Sequence, residues 1–361
     1  MKINLQSIDR SQFLVQERLV NGETMVLVNP QHVGVKWTPE NLHYRSSLWT
    51  LEGELVSASF KKFFNWGEQP NLAPIPNSLA GHSLIEKLDG STLIVSRYKG
   101  NLIIRTRGTA DATGLENGHE IALLRKCYPY AFNHVDVNCE NYSVIFEWLS
   151  PTNKIVIDYG AEPEIRLIGQ ISHRNYALTS QKELDVIAEE MGVKRPKRFS
   201  FDTVEEMIGS VEKLQGQEGL CCYSPDGQNI RKVKSAWYLA LHRFKENATL
   251  DNTVDLFFEY GCPNFLGFQG KLVQTFDYEC WNMVQGFASC VVDAYEQATR
   301  IASGMVRFVE PLKSVSRKEA AQKILASYGQ TNRASFCFQI LDGKTLDIDA
   351  QKKLLWQCLK K

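Results

Sequence analysis

The sequence predicts an α+β fold: antiparallel sheets with flanking helices, followed by a mainly α-helical C-terminal domain. Three observations predict it. Short runs at 13–15, 24–28, 55–60, 92–96, 102–109, 142–150, 220–223 and 230–238 read as strands, separated by turn signals such as Asn29-Pro30, Asp89-Gly90, Lys99-Gly100 and Asp226-Gly227. Between the later strands, 181–191 and 203–214 carry the apolar spacing of amphipathic helices. Beyond Leu239 strand alternation becomes scarce, and Trp281, Val284, Phe287, Ala288, Val291 and Tyr295 recur at helical spacing. The expected domains are therefore 1–240 and 241–361.

Composition bounds the function. Apolar residues at 43% and charged residues at 23% suit a chain with a substantial core. With 41 basic and 41 acidic residues the net charge is zero, which excludes bulk electrostatic binding of nucleic acid, so any phosphate site must come from local clustering. Residues 1–6 lack the apolar region of a signal peptide and no run is long enough to span a membrane, so a cytoplasmic protein is expected. Nine cysteines at scattered positions form no CxxC or Cys/His metal spacing, and reduced thiols are expected.

Taken in order, two short strands precede Asn29-Pro30, and Tyr44–Trp49 leads through Glu52-Gly53-Glu54 into a hairpin with Leu55–Phe60. Lys61-Lys62-Phe63-Phe64-Asn65 interleaves cations with aromatics, which suits base stacking beside phosphate or, equally, an aromatic strand edged by solvated lysines. Lys87-Leu88-Asp89-Gly90-Ser91 puts a lysine at the mouth of a strand. Asp-Gly makes the turn that aims it, Ser91 offers a hydroxyl, and an ordinary exposed hairpin would look the same.

Arg105 and Arg107, two apart in a strand, would share a face and call for an anion between them. Residues 115–135 read as a helix. Glu147 lies within the apolar run 142–150, costly unless paired or near a metal ion, and Pro151–Lys154 turns the chain into a hairpin with 155–159. The basic run Lys194–Arg198 reads as a solvated loop. Glu218-Gly219 places a second acid before a strand, and Lys232 and Lys234 share a strand face.

As a set these stretches resemble the covalent nucleotidyltransferases, whose members include RNA and DNA ligases and mRNA capping enzymes. Lys87-Leu88-Asp89-Gly90 is similar to the family's nucleophile motif, Glu147 and Glu218-Gly219 to its two acidic motifs, and Lys232-Val233-Lys234 to its last. Lys62-Phe63-Phe64-Asn65, Phe146-Glu147 with Pro151–Val156, and Lys232–Tyr238 with Leu241-His242 resemble one branch, the bacteriophage T4 RNA ligase 1 type, over about residues 42–242. Arg45 is followed by Ser46 where the family usually has glycine. Where this branch carries an Asp pair associated with a metal, the chain reads Gly261-Cys262-Pro263-Asn264, and no metal is expected there.

The resemblance implies a nucleotidyltransferase (ATP-grasp-like ligase) domain and a helical domain for RNA specificity. It implies an ATP-dependent RNA ligase joining 5′-phosphate and 3′-hydroxyl ends of single-stranded or broken-loop RNA, as in tRNA repair, beside an end-healing kinase-phosphatase and in the host cytoplasm if phage-encoded. Lys87 would carry AMP, with Lys232, Lys234 and Tyr238 also in the chemistry. Arg45, Lys62, Asp89, Gly90, Ser91, Arg105, Arg107 and Glu147 would bind the nucleotide, while Glu147 and Glu218 would hold Mg²⁺ (or Mn²⁺) through water. Lys232, Lys234 and a bound Mg²⁺ would lower the pKa of Lys87 by repulsion. The alternatives are a DNA ligase or RNA guanylyltransferase, which normally carry a β-barrel after the Lys-x-Lys motif, or a catalytically silent RNA-end-binding protein.

Overall fold

The computed structural model describes residues 1–31, 34–112, 115, 122, 125–126, 128–130, 140–153, 155–275 and 278–359. The chain forms two compact units, Met1–Leu239 and Ala240–Lys361.

In the first unit, β1 (Phe13–Val20), β2 (Glu23–Pro30), β3 (Ser47–Thr50) and β4 (Leu55–Ala58) form an antiparallel meander, in sequence order. After β5 (Phe64–Asn65) come β6 (Ser83–Lys87), β7 (Ser91–Tyr98), β8 (Asn101–Thr106), β9 (Tyr142–Leu149) and β10 (Glu164–Ser172). The last four make a second antiparallel sheet, ordered β10-β9-β7-β8. Then follow α1 (Gln181–Met191), β11 (Arg198–Phe199), α2 (Val204–Glu212), β12 (Gly219–Tyr223) and β13 (Ile230–Lys234). The third sheet runs β11-β6-β12-β13-β5, antiparallel except that β13 and β5 pair in parallel.

Alternation builds the core. Ile85, Ile94, Ile145, Cys221 and Trp49 meet in one cluster where the three sheets face one another. The other face of the third sheet packs Leu84, Leu220 and Cys222 against Met207 and Val211 of α2. The other face of the second sheet packs Leu93 and Trp148 against Leu184 and Ala188 of α1. Ser180 caps α1 in a reciprocal capping box with Glu183 and Thr203 caps α2, so both helices begin where the sequence places them.

Four expectations are corrected. The strand expected over 230–238 ends at Lys234, and Ala236–Glu246 is helical. The segment 155–159 is not the partner of β9. The N–H groups of Val156 and Ile157 donate to Asp89 Oδ2 (2.7 and 2.9 Å), so β9 pairs with β10 instead. The basic run 194–198 is tied down: Lys194 pairs with Glu164, and Arg195 and Arg198 both pair with Asp185 on α1. Strand β8 ends at Thr106, so Arg105 and Arg107 do not share a strand face. The helix expected at 115–135 lies largely outside the described residues.

The second unit is helical among its described residues. Helix α3 (Ala236–Glu246) spans the boundary, followed by α4 (Leu250–Glu259), α5 (Phe265–Thr275), α6 (Tyr278–Val309), α7 (Arg317–Tyr328), α8 (Asn332–Leu341) and α9 (Ile348–Leu359). The long α6 is the hub against which α4, α5, α8 and α9 pack. Phe257, Phe268 and Trp281 interlock edge to face at its core. No helix among the described residues is long and apolar enough to cross a membrane.

Candidate active site

Lys87 is the last residue of β6, at the point where the chain leaves the third sheet and turns through Leu88–Gly90 into β7 of the second. Across the third sheet Lys87 aligns with Gly219 and Gly219 with Lys234. Gly219 has φ 146, and a Cβ there would lie 1.9 Å from Val233 O, so only glycine keeps the row closed. The two lysines converge on Glu218: Lys87 Nζ lies 2.7 Å from Oε2 and Lys234 Nζ 2.9 Å from Oε1, with the Glu218 side chain 3% exposed.

The carboxylates around Lys87 act on its amine against the repulsion of the neighbouring lysines. Burial pushes the Lys87 amine down, but Glu218, with Cys221 and Glu147, outweighs it, and the amine sits above its usual range. At rest Lys87 is a held ammonium. Lys232 moves the other way, pushed down to about 8 by burial and by Lys62, Lys234 and Arg45.

Lys87 and Glu147 line a cavity of ≈ 100 Å³ together with Arg45, Phe63 and Cys221. A second cavity of ≈ 360 Å³ is lined by Arg45, Lys62, Arg107 and Trp37, so Arg45 belongs to both. Aromatic rings seat the cations: Arg45 and Lys232 lie over Phe63 (5.1 and 5.7 Å), and Lys62 over Phe64 and Trp37 (5.2 and 5.7 Å). Among the described residues no carboxylate lies within ion-pair distance of Arg45, Lys62, Arg107 or Lys232. Four cations gathered without a counter-ion make an anion site.

Glu147, in the middle of β9, is opposite Thr92 of β7 and 8% exposed. Its Oε1 accepts the Gly90 N–H at 3.1 Å. Burial, with the nearby Glu218 charge also acting, raises its carboxyl to about 7 despite the attraction of Lys87. Two carboxylates in mutual range are hard oxygen donors of the kind Mg²⁺ or Mn²⁺ takes. Among the described residues, no group of three or more His, Cys, Asp or Glu could hold a metal. The donor set therefore fits an ion held largely through its waters.

Other expected residues fall outside the cavities. Asp89 is 3% exposed, and both its oxygens are engaged, Oδ2 by the Val156 and Ile157 N–H groups and Oδ1 by the Tyr238 hydroxyl (2.8 Å), so it anchors the turn. Tyr238, 2% exposed, lies behind that turn with Lys234 over its ring. Gly90 serves by allowing close approach to β9, and Ser91 simply opens β7. Arg105 is 0% exposed and turned into the protein, onto Ser46 and Ser57, because its guanidinium finds five acceptors there. Sequence reading missed Tyr159, whose hydroxyl accepts the Asp89 N–H, and Cys221 on the cavity floor. No local signal marks either.

A lysine beside a cation-rimmed cavity, with two acids at hand, defines a site suited to transferring a group from a polyphosphate to an amine. The sequence pattern of the RNA ligase family matches residues 43–260, more than half of the chain, and the chain belongs to that family. An RNA ligase of Rhodothermus phage RM378 is 26% identical over 285 residues, covering 59% of this chain and 62% of that one. A Thermovibrio ammonificans protein provisionally named an RNA ligase is 30% identical over 196 residues, 53% of this chain and 50% of its own. The match thus spans only half to somewhat under two thirds of these relatives. Among solved structures, a Naegleria gruberi RNA ligase variant with ATP and manganese aligns at 14% identity over 65% of this chain and 81% of that one, with a TM-score of 0.44, too low to add to the assignment.

Proposed function

We propose that this chain is an ATP-dependent RNA ligase whose Lys87 carries AMP and passes it to a 5′-phosphate RNA end, after which a 3′-hydroxyl attacks that end and AMP leaves. The observation that carries this reading is the pairing of Lys87 with Glu218 beside four cations that have no carboxylate within ion-pair distance among the described residues. In the first step the Lys87 ammonium gives up its proton to water, its nitrogen bonds to the α-phosphorus, and the bond between that phosphorus and the oxygen bridging to the β-phosphorus breaks, so pyrophosphate leaves with that oxygen. Arg45, Lys62 and Arg107 line the cavity that would take the β- and γ-phosphates and so stabilise the leaving charge. Lys232 and Lys234 flank Lys87 and would neutralise the α-phosphate. Glu147 and Glu218 would hold a hydrated divalent cation, which supplies Lewis-acid charge at the phosphates. Asp89 and Tyr238 act through the turn that aims Lys87.

The residue 1–239 unit would be the adenylylation domain and the helical unit the reader of RNA structure. A baculovirus protein provisionally named as a bifunctional polynucleotide kinase and RNA ligase is 27% identical over 215 residues, though the match covers only 30% of it. That name supports a role beside an end-healing enzyme, while broken tRNA as a substrate rests on the sequence resemblance alone. The decisive experiment incubates the purified chain with labelled ATP and Mg²⁺ and locates the adduct by mass spectrometry. A Lys87-linked AMP, absent from Lys87→Ala, is expected. No adduct, or an adduct elsewhere, refutes the reading and leaves a silent end-binding protein. Offering GTP beside ATP, and nicked DNA beside single-stranded and cleaved-loop RNA, excludes or selects the capping-enzyme and DNA-ligase alternatives.

A further inference from the structure

The loop that delivers Arg45 to both cavities contains a strained residue. Ser46 has φ 115, a backbone conformation that L side chains rarely adopt, and it is wholly buried. It joins the turn Leu42–Tyr44 with Arg45 to the start of β3 at Ser47, so its backbone angle sets where Arg45 points. No glycine supplies that freedom here. Something outside the loop must hold it.

The Ser59 N–H donates to the Ser46 carbonyl (3.2 Å), and the rest of the hold comes from Arg105. Its Nη1 donates to Ser46 Oγ (2.8 Å) and Nη2 to Ser46 O (3.2 Å), gripping the residue by side chain and backbone at once. The remaining donors go to Ser57 Oγ (2.8 Å), Ser57 O (3.1 Å) and Thr106 O (3.1 Å), so all five N–H groups are spent on Ser46, on β4 and on their own strand. Among the described residues no carboxylate lies within ion-pair distance of Arg105, and its side chain is fully buried. A buried guanidinium without a counter-ion is a costly fastener, and a lysine could not reproduce the fork.

We propose that Arg105 is a positioning residue for Arg45: its grip on Ser46 holds the strained backbone that aims the Arg45 guanidinium into the cavities. Arg105 itself meets no ligand. This inference rests on the reading of Arg45 as a nucleotide-phosphate contact, and its tests are chosen so that the two can fail separately.

Single-turnover formation of labelled enzyme–AMP is measured against ATP concentration for wild type, R105K, S46G, S46G/R105K, R45A and R45A/R105K, each with a thermal melt. R105K is expected to raise the half-saturating ATP at least tenfold. S46G should stay within threefold of wild type, because glycine adopts the angle unaided, and S46G/R105K should recover most of the loss. In the R45A background R105K should change half-saturation less than twofold, because there is no Arg45 left to aim. An equal R105K effect with and without Arg45, or no rescue by S46G, overturns the proposal in favour of a purely structural arginine. If R105K does not fold, Ser57→Ala, which removes one of the five contacts, replaces it. Should wild type form no adduct, crystal structures of wild type and R105K still decide. Loss of the positive φ at Ser46 with displacement of Arg45 supports the proposal, and an unmoved Arg45 overturns it.

Discussion

Gly90→Ala gives the sharpest test of how the two sheets are joined at the lysine. A Cβ on Gly90 would lie 2.4 Å from Trp148 O, 2.7 Å from Leu149 Cδ2 and 3.0 Å from Glu147 Cγ. Real Cβ contacts essentially never fall below 3.0 Å and become ordinary only at 3.4 Å, so β9 and the Lys87 turn must part by 3.4 − 2.4 = 1.0 Å, or at the least by 3.0 − 2.4 = 0.6 Å. The nearest atom is backbone, and β9 is laddered to β7 on one side and β10 on the other, so it cannot yield alone. Overpacking of this kind costs ~1–3 kcal/mol, a fraction of the ~5–15 kcal/mol that holds a domain together. The same parting moves Glu147 away from Lys87, and a misplacement of about 1 Å costs a reaction ~10²-fold. The variant is therefore expected to fold, with a lowered melting temperature, and to form enzyme–AMP about 100-fold more slowly in a single-turnover assay with labelled ATP. A folded variant that labels at the wild-type rate would refute the reasoning.

Three further outcomes are expected. Below pH 7 the folded, metal-free chain keeps on Glu147 a proton that the unfolded chain releases near pH 4.5, so this group's stabilisation is complete below that pH and is lost as pH rises through about 7. Denaturant titrations at pH 5 and 8 should show on the order of 3 kcal/mol of that dependence in wild type, and much less in Glu147→Gln. Tyr238→Phe leaves Asp89 one donor short in a buried site and should cost about 1.5–3 kcal/mol by thermal or chemical melts. Unchanged stability would deny the anchor. Glu218→Gln removes the carboxylate that holds the Lys87 ammonium, so acylation of Lys87 by an amine-directed reagent, followed by mass spectrometry, should reach half-rate at lower pH than in wild type. No shift would show that burial alone sets that amine.

What the sequence revealed and what it hid divide by range. The Lys87–Gly90 turn, the buried acid in β9 and the facing lysines of β13 are local patterns of alternation and turn chemistry, and each is where that pattern puts it. Asp89 looks in sequence like a ligand because its partners, Val156, Ile157 and Tyr238, lie far along the chain. Arg105 and Arg107 look like a pair because nothing local marks the end of β8 between them. The basic run at 194–198 looks solvated until Asp185 and Glu164 are brought beside it. The two-residue strands β5 and β11 are too short to leave any period at all.

The parallel pairing of β5 with β13 sets Phe64 beside Arg231 and Asn65 beside Lys232, stitching an early segment of the unit to its last described strand. Closing so long a loop costs entropy before any contact repays it, which makes such a seam a late event in folding. During synthesis the cluster of Lys62 and Lys232 about Phe63 and Phe64 therefore cannot exist until β13 has left the ribosome. A chain stopped short of Ile230 would keep Lys87 yet lack this seam, so under the proposed function such fragments should form no enzyme–AMP with ATP.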